Sequence, residues 1–172
     1  MYMSDKIKIS KRYLLSKKSA KELKERVEKL YSKLNIEWEN VERVEYENII
    51  IYVINGIATL TEIDNLIFPT LIYMLKKDSS WAQGVIIDRG ATNAVSRGAD
   101  LMLPGIKGIR GKFKEGDIVF AFDIEKSIPV MVGKALLSSD KINESINQKA
   151  KGRAIQNLHY AGDLIWKISI SI

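Results

Sequence analysis

The sequence predicts an α+β protein of two domains: a small α+β domain over residues 1–79, followed by a mostly β pseudo-barrel with short helices over residues 80–172. An amphipathic helical pattern and a series of β-rich runs joined by turn signals indicate the first domain. Strand-like runs alternating with short helical segments indicate the second. The small, polar stretch KDSSWAQG places the boundary between them, near residues 77 to 82.

The first helix is predicted in SKKSAKELKERVEKLYSKL, after a short alternating strand in KIKIS, residues 6–10. Its apolar residues recur at steps of three and four, and the residues that share this face are Leu23, Val27, Leu30, Tyr31 and Leu34. Ser16 or Ser19 can cap its N-terminus. We interpret the lysines of the opposite face as a solvated surface, in preference to a partner-binding or RNA-binding one.

An antiparallel sheet is predicted from three β-rich runs, VERVEYE, IIIYVI and IATLTEI. Asn55-Gly56, between the second and third runs, is a strong signal for a two-residue hairpin turn. The segment PTLIYMLKK, residues 69–77, then predicts a helix, because proline suits a first helical turn and two lysines suit a helix C-terminus.

The second domain opens with the strand GVIID and a short helix that Asp88 can cap. Gly98 can end this helix in a left-handed conformation, and ADLML returns as a strand. Further strands are predicted in IVFAF and in IPVMVGKALL, with Gly133 as a bulge or a point of close approach. SDKINESI predicts a helix from Ser139, and both RAIQNL and DLIWKISI are interpreted as closing strands.

The composition is that of an ordinary globular protein, with 46% apolar and 28% charged residues. The absence of cysteine excludes disulfides, thiolate metal sites and cysteine nucleophiles. The N-terminus carries charges where a secretory signal would be apolar, and no apolar run approaches the length of a membrane span. We therefore expect a cytoplasmic protein without a membrane partner.

The net charge of +6 is distributed unevenly along the chain. Residues 1–35 carry 11 basic and 4 acidic side chains (+7), residues 36–81 carry 3 and 8 (−5), and residues 82–172 carry 13 and 9 (+4). Basic zones of this kind suit a polyanion such as RNA, although many solvated helices are equally rich in lysine.

The stretch PGIKGIRGKFKEGD, residues 104–117, alternates glycines with Lys107, Arg110 and Lys112. It is not a phosphate-binding P-loop, because Phe113 follows Gly-Lys where serine or threonine is required, and it lacks the glycine spacing of a dinucleotide fingerprint. A KH loop joins two helices, whereas this stretch follows a predicted strand. We predict a flexible basic loop whose cations either contact phosphates or are the exposed charges of an ordinary turn.

Catalysis has few candidate residues in this chain. His159 is the only histidine, and neither a catalytic triad nor a His-x-x-His metal pair is evident. A histidine beside Tyr160 is more often structural, or a neighbour of a stacked base, than a proton shuttle. The sequence predicts no catalytic residues, no metal site and no cofactor.

A resemblance to the PUA domain, the RNA-binding module of pseudouridine synthases and archaeosine transglycosylases, is carried by VIIDRGATNAVSRGADLMLPGI, KEGDIV and GRAIQNLHYAGDLIWK. More specifically, NLHY (157–160) before GD (162–163), with FPTL (68–71) upstream, is similar to the malignant T-cell amplified protein family and its archaeal relatives. The resemblance covers nearly the whole chain. It implies a small α+β domain followed by a C-terminal PUA domain.

This resemblance implies a non-catalytic RNA-binding role linked to translation, with tRNA or the small ribosomal subunit and its rRNA as partner. RNA lies against the short helix and the following strand of PUA domains, which implies a surface formed by Arg89, Gly90, Ala91, Arg97, Gly98 and Ala99. Gly90, Ala91, Gly98 and Ala99 carry almost no side chain, which lets a phosphate or sugar approach the backbone and equally suits tight helix–strand packing. Charge nearby comes from Arg89, Arg97, Lys107, Arg110 and Lys112. Eukaryotic members also dock a protein on the first domain, so the family implies a protein partner there.

Two other functions fit the sequence. An RNA-modifying enzyme, or its RNA-targeting subunit, would need a catalytic cluster in the first domain, where the acidic segment 37–64 is the only supply. A protein-interaction scaffold would instead dock a basic partner on that acidic domain.

Overall fold

The computed structural model describes residues 6–172, and this part of the chain forms the α+β protein that the sequence predicts. Its strands are β1 (Lys11–Leu14), β2 (Val41–Tyr46), β3 (Ile49–Ile54), β4 (Ile57–Ile63), β5 (Leu66–Pro69), β6 (Gly84–Ile87), β7 (Leu101–Met102), β8 (Ile106–Arg110), β9 (Ile118–Asp123), β10 (Pro129–Ala135) and β11 (Arg153–Tyr160). Its helices are α1 (Lys17–Leu30), α2 (Leu71–Lys76), α3 (Arg89–Val95), α4 (Ser139–Asn147), α5 (Leu164–Ile170) and a 3₁₀ helix (Leu103–Gly105).

The internal contacts divide the chain into two units. The first unit comprises the described residues up to Tyr73 together with Leu164–Ile172, and the second comprises Met74–Asp163. The predicted domains, residues 1–79 and 80–172, differ from this division in two places. Residues 74–79 fall in the second unit, and Leu164–Ile172 makes its contacts within the first unit.

The first unit is built on an antiparallel sheet with the strand order β1-β2-β3-β4-β5. The predicted hairpin turn is confirmed, since Asn55 and Gly56 have φ angles of 51° and 80° and join β3 to β4. The predicted cap of α1 is also confirmed at Ser16, whose hydroxyl accepts the Ser19 N–H at 3.1 Å.

Three predictions in this unit were wrong in type or extent. The first strand is Lys11–Leu14 rather than residues 6–10, and Pro69 ends β5 instead of opening the next helix, which begins at Leu71. The predicted strand in DLIWKISI is the helix α5, which packs on β3 and β4 and buries Ile165 and Ile168. Their spacing of three residues is helical, but eight residues are too few to separate that period from alternation.

The second unit is built on a sheet with the strand order β7-β11-β10-β9-β6-β8. Its pairs are antiparallel apart from β6 with β9, which are parallel. Helices α3 and α4 cover the core of this unit with Val95 and Ile142, which are fully buried beside Val85, Ile87 and Val119. The sheet thereby places α3 between the end of β6 and the start of β7.

Part of the stretch predicted as a flexible basic loop, Ile106–Arg110, is the strand β8, paired with β6, whereas residues 111–117 form the connection to β9. Ile106 is buried and Ile109 packs against the core, so these two residues hold the strand on the sheet. A register shift lies between Ile86 and Ile87, opposite this strand. The glycines concealed the strand in the sequence, yet a Cβ at Gly108 would lie 3.3 Å from the Ile86 side chain, which makes it a close-packed position.

Gly133 was predicted to be a bulge or a point of close approach, and the structure shows both. The register between β10 and β11 shifts between Val132 and Gly133. A Cβ at Gly133 would lie 2.4 Å from Ile155 Cγ2 and 2.6 Å from the Gln156 carbonyl oxygen, so only glycine fits.

Helix α3 is tied to the sheet through Asp123 at the end of β9. The Thr92 hydroxyl donates to Asp123 Oδ1 at 2.9 Å, and the Lys126 N–H donates to Asp123 Oδ2 at 2.8 Å. These hydrogen bonds, with that from Lys126 the largest contribution, lower the pKa of the buried Asp123 carboxyl below its ordinary value.

We expect Gly133→Ala to lower the free energy of unfolding by about 1–3 kcal/mol, because the new methyl group overlaps Ile155 and the backbone of β11. Gly90→Ala is the matched control, since its Cβ would approach nothing closer than Asp88 Oδ1 at 3.6 Å on an exposed helix. The control should keep or raise stability, by roughly 0.5–1 kcal/mol. Urea denaturation of both variants measures this, and a wild-type midpoint for Gly133→Ala would contradict the packing described.

We expect Asp123→Asn to destabilise the protein at neutral pH by about 1–2 kcal/mol, through weaker hydrogen bonds to Thr92 and Lys126. Because the folded-state pKa of Asp123 is depressed, its contribution is present above the unfolded-state value and is lost as pH falls through the folded-state value. The stability gap between wild type and variant should therefore close in acid, in denaturation series from pH 7 to pH 3. Asp140→Asn, at an exposed ion pair with Lys112, is the control and should show no gap.

Candidate nucleic-acid interface

The residues implied as an RNA surface lie together on α3 and on the segment that follows it, residues 96–99. Most of them are exposed, and Ala91 is half-buried. The six residues are Arg89, Gly90, Ala91, Arg97, Gly98 and Ala99. The structure therefore places them on one continuous stretch at the surface of the second unit.

The N-terminal end of α3 is fixed by Asp88 and by the 3₁₀ helix. Asp88 has extended backbone angles, and its Oδ1 accepts the Ala91 N–H at 2.8 Å, which confirms the predicted cap. The Asp88 N–H donates to the Gly105 carbonyl at 3.0 Å. A Cβ at Gly105 would lie 2.5 Å from Ala91 Cβ, so small residues at these two positions serve close packing.

The C-terminal end of α3 is closed by Gly98, as predicted. Gly98 has a φ angle of 95°, its N–H donates to the Val95 carbonyl at 3.0 Å, and the Ala99 N–H donates to the Ala94 carbonyl at 3.2 Å. This is the hydrogen-bond pattern of a Schellman motif. A Cβ at Gly98 would also lie 3.2 Å from the ring of Tyr160, which packs beneath it.

Strand β11 supports the segment after α3 through side chains that the sequence did not identify as part of the site. The Asn157 amide donates to the carbonyls of Val95 at 3.0 Å and Ala99 at 2.9 Å. Asp100 Oδ1 accepts the Asn157 N–H at 2.8 Å, and Asp100 Oδ2 accepts Arg153 Nε at 2.9 Å. In each of these hydrogen bonds the two partners lie more than 50 positions apart along the chain, so no periodicity in the sequence could have paired them.

The basic residues near α3 differ in how they are paired. Arg89 and Arg97 are exposed and form no ion pair with any residue in the described range 6–172. Lys107 Nζ lies 3.8 Å from Asp88 Oδ2 and 3.2 Å from the Pro104 carbonyl oxygen, so β8 brings this cation to the N-terminal end of α3.

Arg110 and Lys112 are directed to other parts of the second unit. The Arg110 guanidinium carbon lies 3.7 Å from the centre of the Phe122 ring, and its Nη2 lies 3.4 Å from the Ser79 carbonyl oxygen. Partial burial lowers the pKa of Arg110 from its ordinary value. Lys112 Nζ lies 3.9 Å from Asp140 Oδ2 on α4, with both side chains largely exposed.

His159 is fully buried, and its Nδ1 lies 2.8 Å from Asp163 Oδ2, which also accepts the Tyr160 N–H at 3.0 Å. A histidine with no exposed surface cannot contact a substrate directly, so its position supports the structural interpretation. Within residues 6–172, no group of three or more histidine, aspartate or glutamate side chains is arranged to hold a metal ion.

A second polar cluster lies in the first unit, with side chains from α1, β2, β3 and β4. Arg43 Nε donates to Glu45 at 2.8 Å, the Tyr52 hydroxyl donates to Glu62 at 2.9 Å, and Arg26 donates to Glu62 at 2.7 Å. Burial, together with the bond to Glu62, raises the pKa of Tyr52 to about 12. Its arginines and glutamates neutralise one another, so we interpret this cluster as an internal network of the first unit.

The part of the chain that the structure describes contains no helix both long and apolar enough to cross a membrane.

Each of the two units is similar to a known protein family. Residues 83–160 match the PUA domain family, and residues 11–77 match a domain of unknown function, DUF1947. The chain is 34% identical over 165 residues to the uncharacterized protein MJ1432 of Methanocaldococcus jannaschii, which covers 93% of this chain and 98% of that protein. It is 29% identical over 126 residues to Translation machinery-associated protein 20 of Schizosaccharomyces pombe, covering 70% of this chain and 67% of the relative.

A crystal structure described as a PUA domain from Aeropyrum pernix, in a tartrate complex, has the same fold. It is 32% identical, and the two match with a TM-score of 0.85 over 93% of this chain and 91% of the other. The resemblance drawn from the sequence is thus confirmed across both units. The second unit contains a PUA domain, which implies RNA binding, and the chain belongs to the family of PUA proteins that includes MJ1432, Translation machinery-associated protein 20 and malignant T-cell-amplified sequence 1.

Proposed function

We propose that the second unit binds the sugar-phosphate backbone of RNA through α3 and residues 96–99. The observation that carries this proposal is the pair of arginines, Arg89 and Arg97, which stand exposed at the two ends of α3 without an ion pair in the described chain. Guanidinium groups of this kind suit phosphate, because they offer several donors in a fixed planar geometry.

Small residues between and beside these arginines give a phosphate room to approach. Gly90, Gly98 and Ala99 are exposed and carry little or no side chain. The N–H groups of Gly98 and Ala99 are already used inside the helix cap, so arginine side chains, rather than these amides, supply the hydrogen bonds. Lys107 adds a third cation at the N-terminal end of α3.

Arg110 and Lys112 are retained in the proposal as peripheral contacts. Arg110 would have to leave Phe122 and the Ser79 carbonyl to reach a phosphate, and Lys112 would have to leave Asp140. We therefore expect Arg110 and Lys112 to contribute less to affinity than Arg89 and Arg97, which have no ion pair in the described chain to break.

The RNA we propose is tRNA or the rRNA of the small ribosomal subunit, bound in the cytoplasm in a translation-related role without catalysis. The support comes from one relative, whose name associates it with the translation machinery, and from the PUA domain itself. A protein partner on the first unit is part of the same proposal.

Replacing both Arg89 and Arg97 by glutamine should weaken binding to bulk tRNA and small-subunit rRNA by about a hundredfold, since each replacement loses a charge-assisted hydrogen bond worth about tenfold. The log-log dependence of affinity on salt should become shallower by about 1.4 if each arginine contacts one phosphate of a single strand. Fluorescence anisotropy across a salt series measures both quantities.

The matched control is Lys134→Gln with Lys141→Gln, which removes two cations from β10 and α4 of the same unit. It should keep the wild-type affinity within about twofold, because neither lysine belongs to α3 or residues 96–99 and exposed charges outside a binding site are weakened by salt screening. Equal losses in the two double variants would contradict a localised surface on α3.

A further inference from the structure

The side chain of Asn157 links the end of α3 to the segment that carries Arg97. Its amide nitrogen donates to the Val95 carbonyl at 3.0 Å and to the Ala99 carbonyl at 2.9 Å. One side chain on β11 is therefore hydrogen-bonded to the backbone on both sides of the turn at residues 96–98.

The orientation of this amide is fixed by its surroundings. With nitrogen and oxygen exchanged, Asn157 Oδ1 would face two carbonyl oxygens that can only accept hydrogen bonds. In the observed orientation, Oδ1 is buried and accepts no hydrogen bond from any described residue. The two donated hydrogen bonds satisfy both carbonyls and hold the side chain in this orientation.

The backbone of Asn157 makes a further connection to the same segment. Its N–H donates to Asp100 Oδ1 at 2.8 Å, and the other oxygen of Asp100 accepts Arg153 Nε at 2.9 Å. The stretch from Val95 to Asp100 is therefore held on β11 at both of its ends, and Arg97 lies between the two attachments.

We propose that Asn157 is a positioning residue for RNA binding: its double donation to Val95 and Ala99 sets the backbone path that presents Arg97 to a phosphate. This inference rests on the proposed function, because it assigns Asn157 a part in the same surface. Asn157 acts through Arg97 and does not itself contact RNA. Without its amide, the helix cap of Gly98 and the bond from the Asn157 N–H to Asp100 persist, but the Val95 and Ala99 carbonyls lose their attachment to β11.

A double-mutant cycle between Asn157→Ala and Arg97→Gln tests the proposal, with bulk tRNA and small-subunit rRNA as probes. We expect each single variant to bind RNA about tenfold more weakly, as for the loss of one hydrogen bond to a charged group. The double variant should be no more than about twofold weaker than either single one, because both changes remove the same contact. Amide hydrogen exchange at Gly98 and Ala99 should also accelerate in Asn157→Ala.

A stability control separates positioning from support of the fold. Ile142→Val removes a buried methylene from α4 and should lower the melting temperature without changing RNA affinity. If Asn157→Ala does not fold, Asn157→Ser keeps a hydroxyl that can donate to one carbonyl, and the cycle is run with it.

The outcomes distinguish the inference from the proposed function. If Arg97→Gln weakens binding but the Asn157 variant binds like wild type, or if the two losses multiply in the double variant, the positioning role is overturned and the RNA surface stands. If wild type binds neither probe, or Arg97→Gln has no effect, the proposed surface fails and the inference fails with it.

Discussion

The surface proposed to bind RNA depends on holding a seven-residue helix in place. An isolated helix shorter than about 12 residues is marginal in water, so α3 cannot supply its own stability. Its single fully buried residue, Val95, contributes one anchor to the core. Ala91 adds a partly buried contact, and polar attachments to the rest of the unit lie at the start, in the middle and at the end of the helix.

These attachments hold α3 in place without using the side chains of Arg89 and Arg97. Asp88 and Gly105 fix the first turn, Thr92 is bonded to Asp123, and Asn157 holds the last turn. Arg89 and Arg97 are consequently available for a ligand, whereas Arg110, of the same residue type, is packed on Phe122.

Sequence reasoning succeeded where the determining signal is local. A cap at Asp88, a left-handed Gly98, the Asn55-Gly56 hairpin and the crowded Gly133 each follow from the conformational preferences of one or two residues. The resemblance to PUA proteins added the location of the candidate surface, which composition and periodicity alone left open.

Prediction from the sequence failed where tertiary contacts decide whether a segment is a helix, a strand or a loop. Residues 106–110 of the glycine-rich stretch form a strand because Ile106 and Ile109 pack on the core, and DLIWKISI is a helix because its isoleucines bury against β3 and β4. The contact of Asn157 with Val95 and Ala99 crosses about 60 residues and joins two elements that are distant in the sequence. Local propensity carries no information about such a pair.

The most direct measurement is ultraviolet cross-linking of the protein to RNA in its native cells, followed by mass spectrometry of the cross-linked peptides and sequencing of the RNA. The predicted result is cross-links within residues 88–99 and at Lys107, on tRNA or small-subunit rRNA. Cross-links confined to other parts of the chain would contradict the central claim that α3 and the segment after it form the RNA-binding surface.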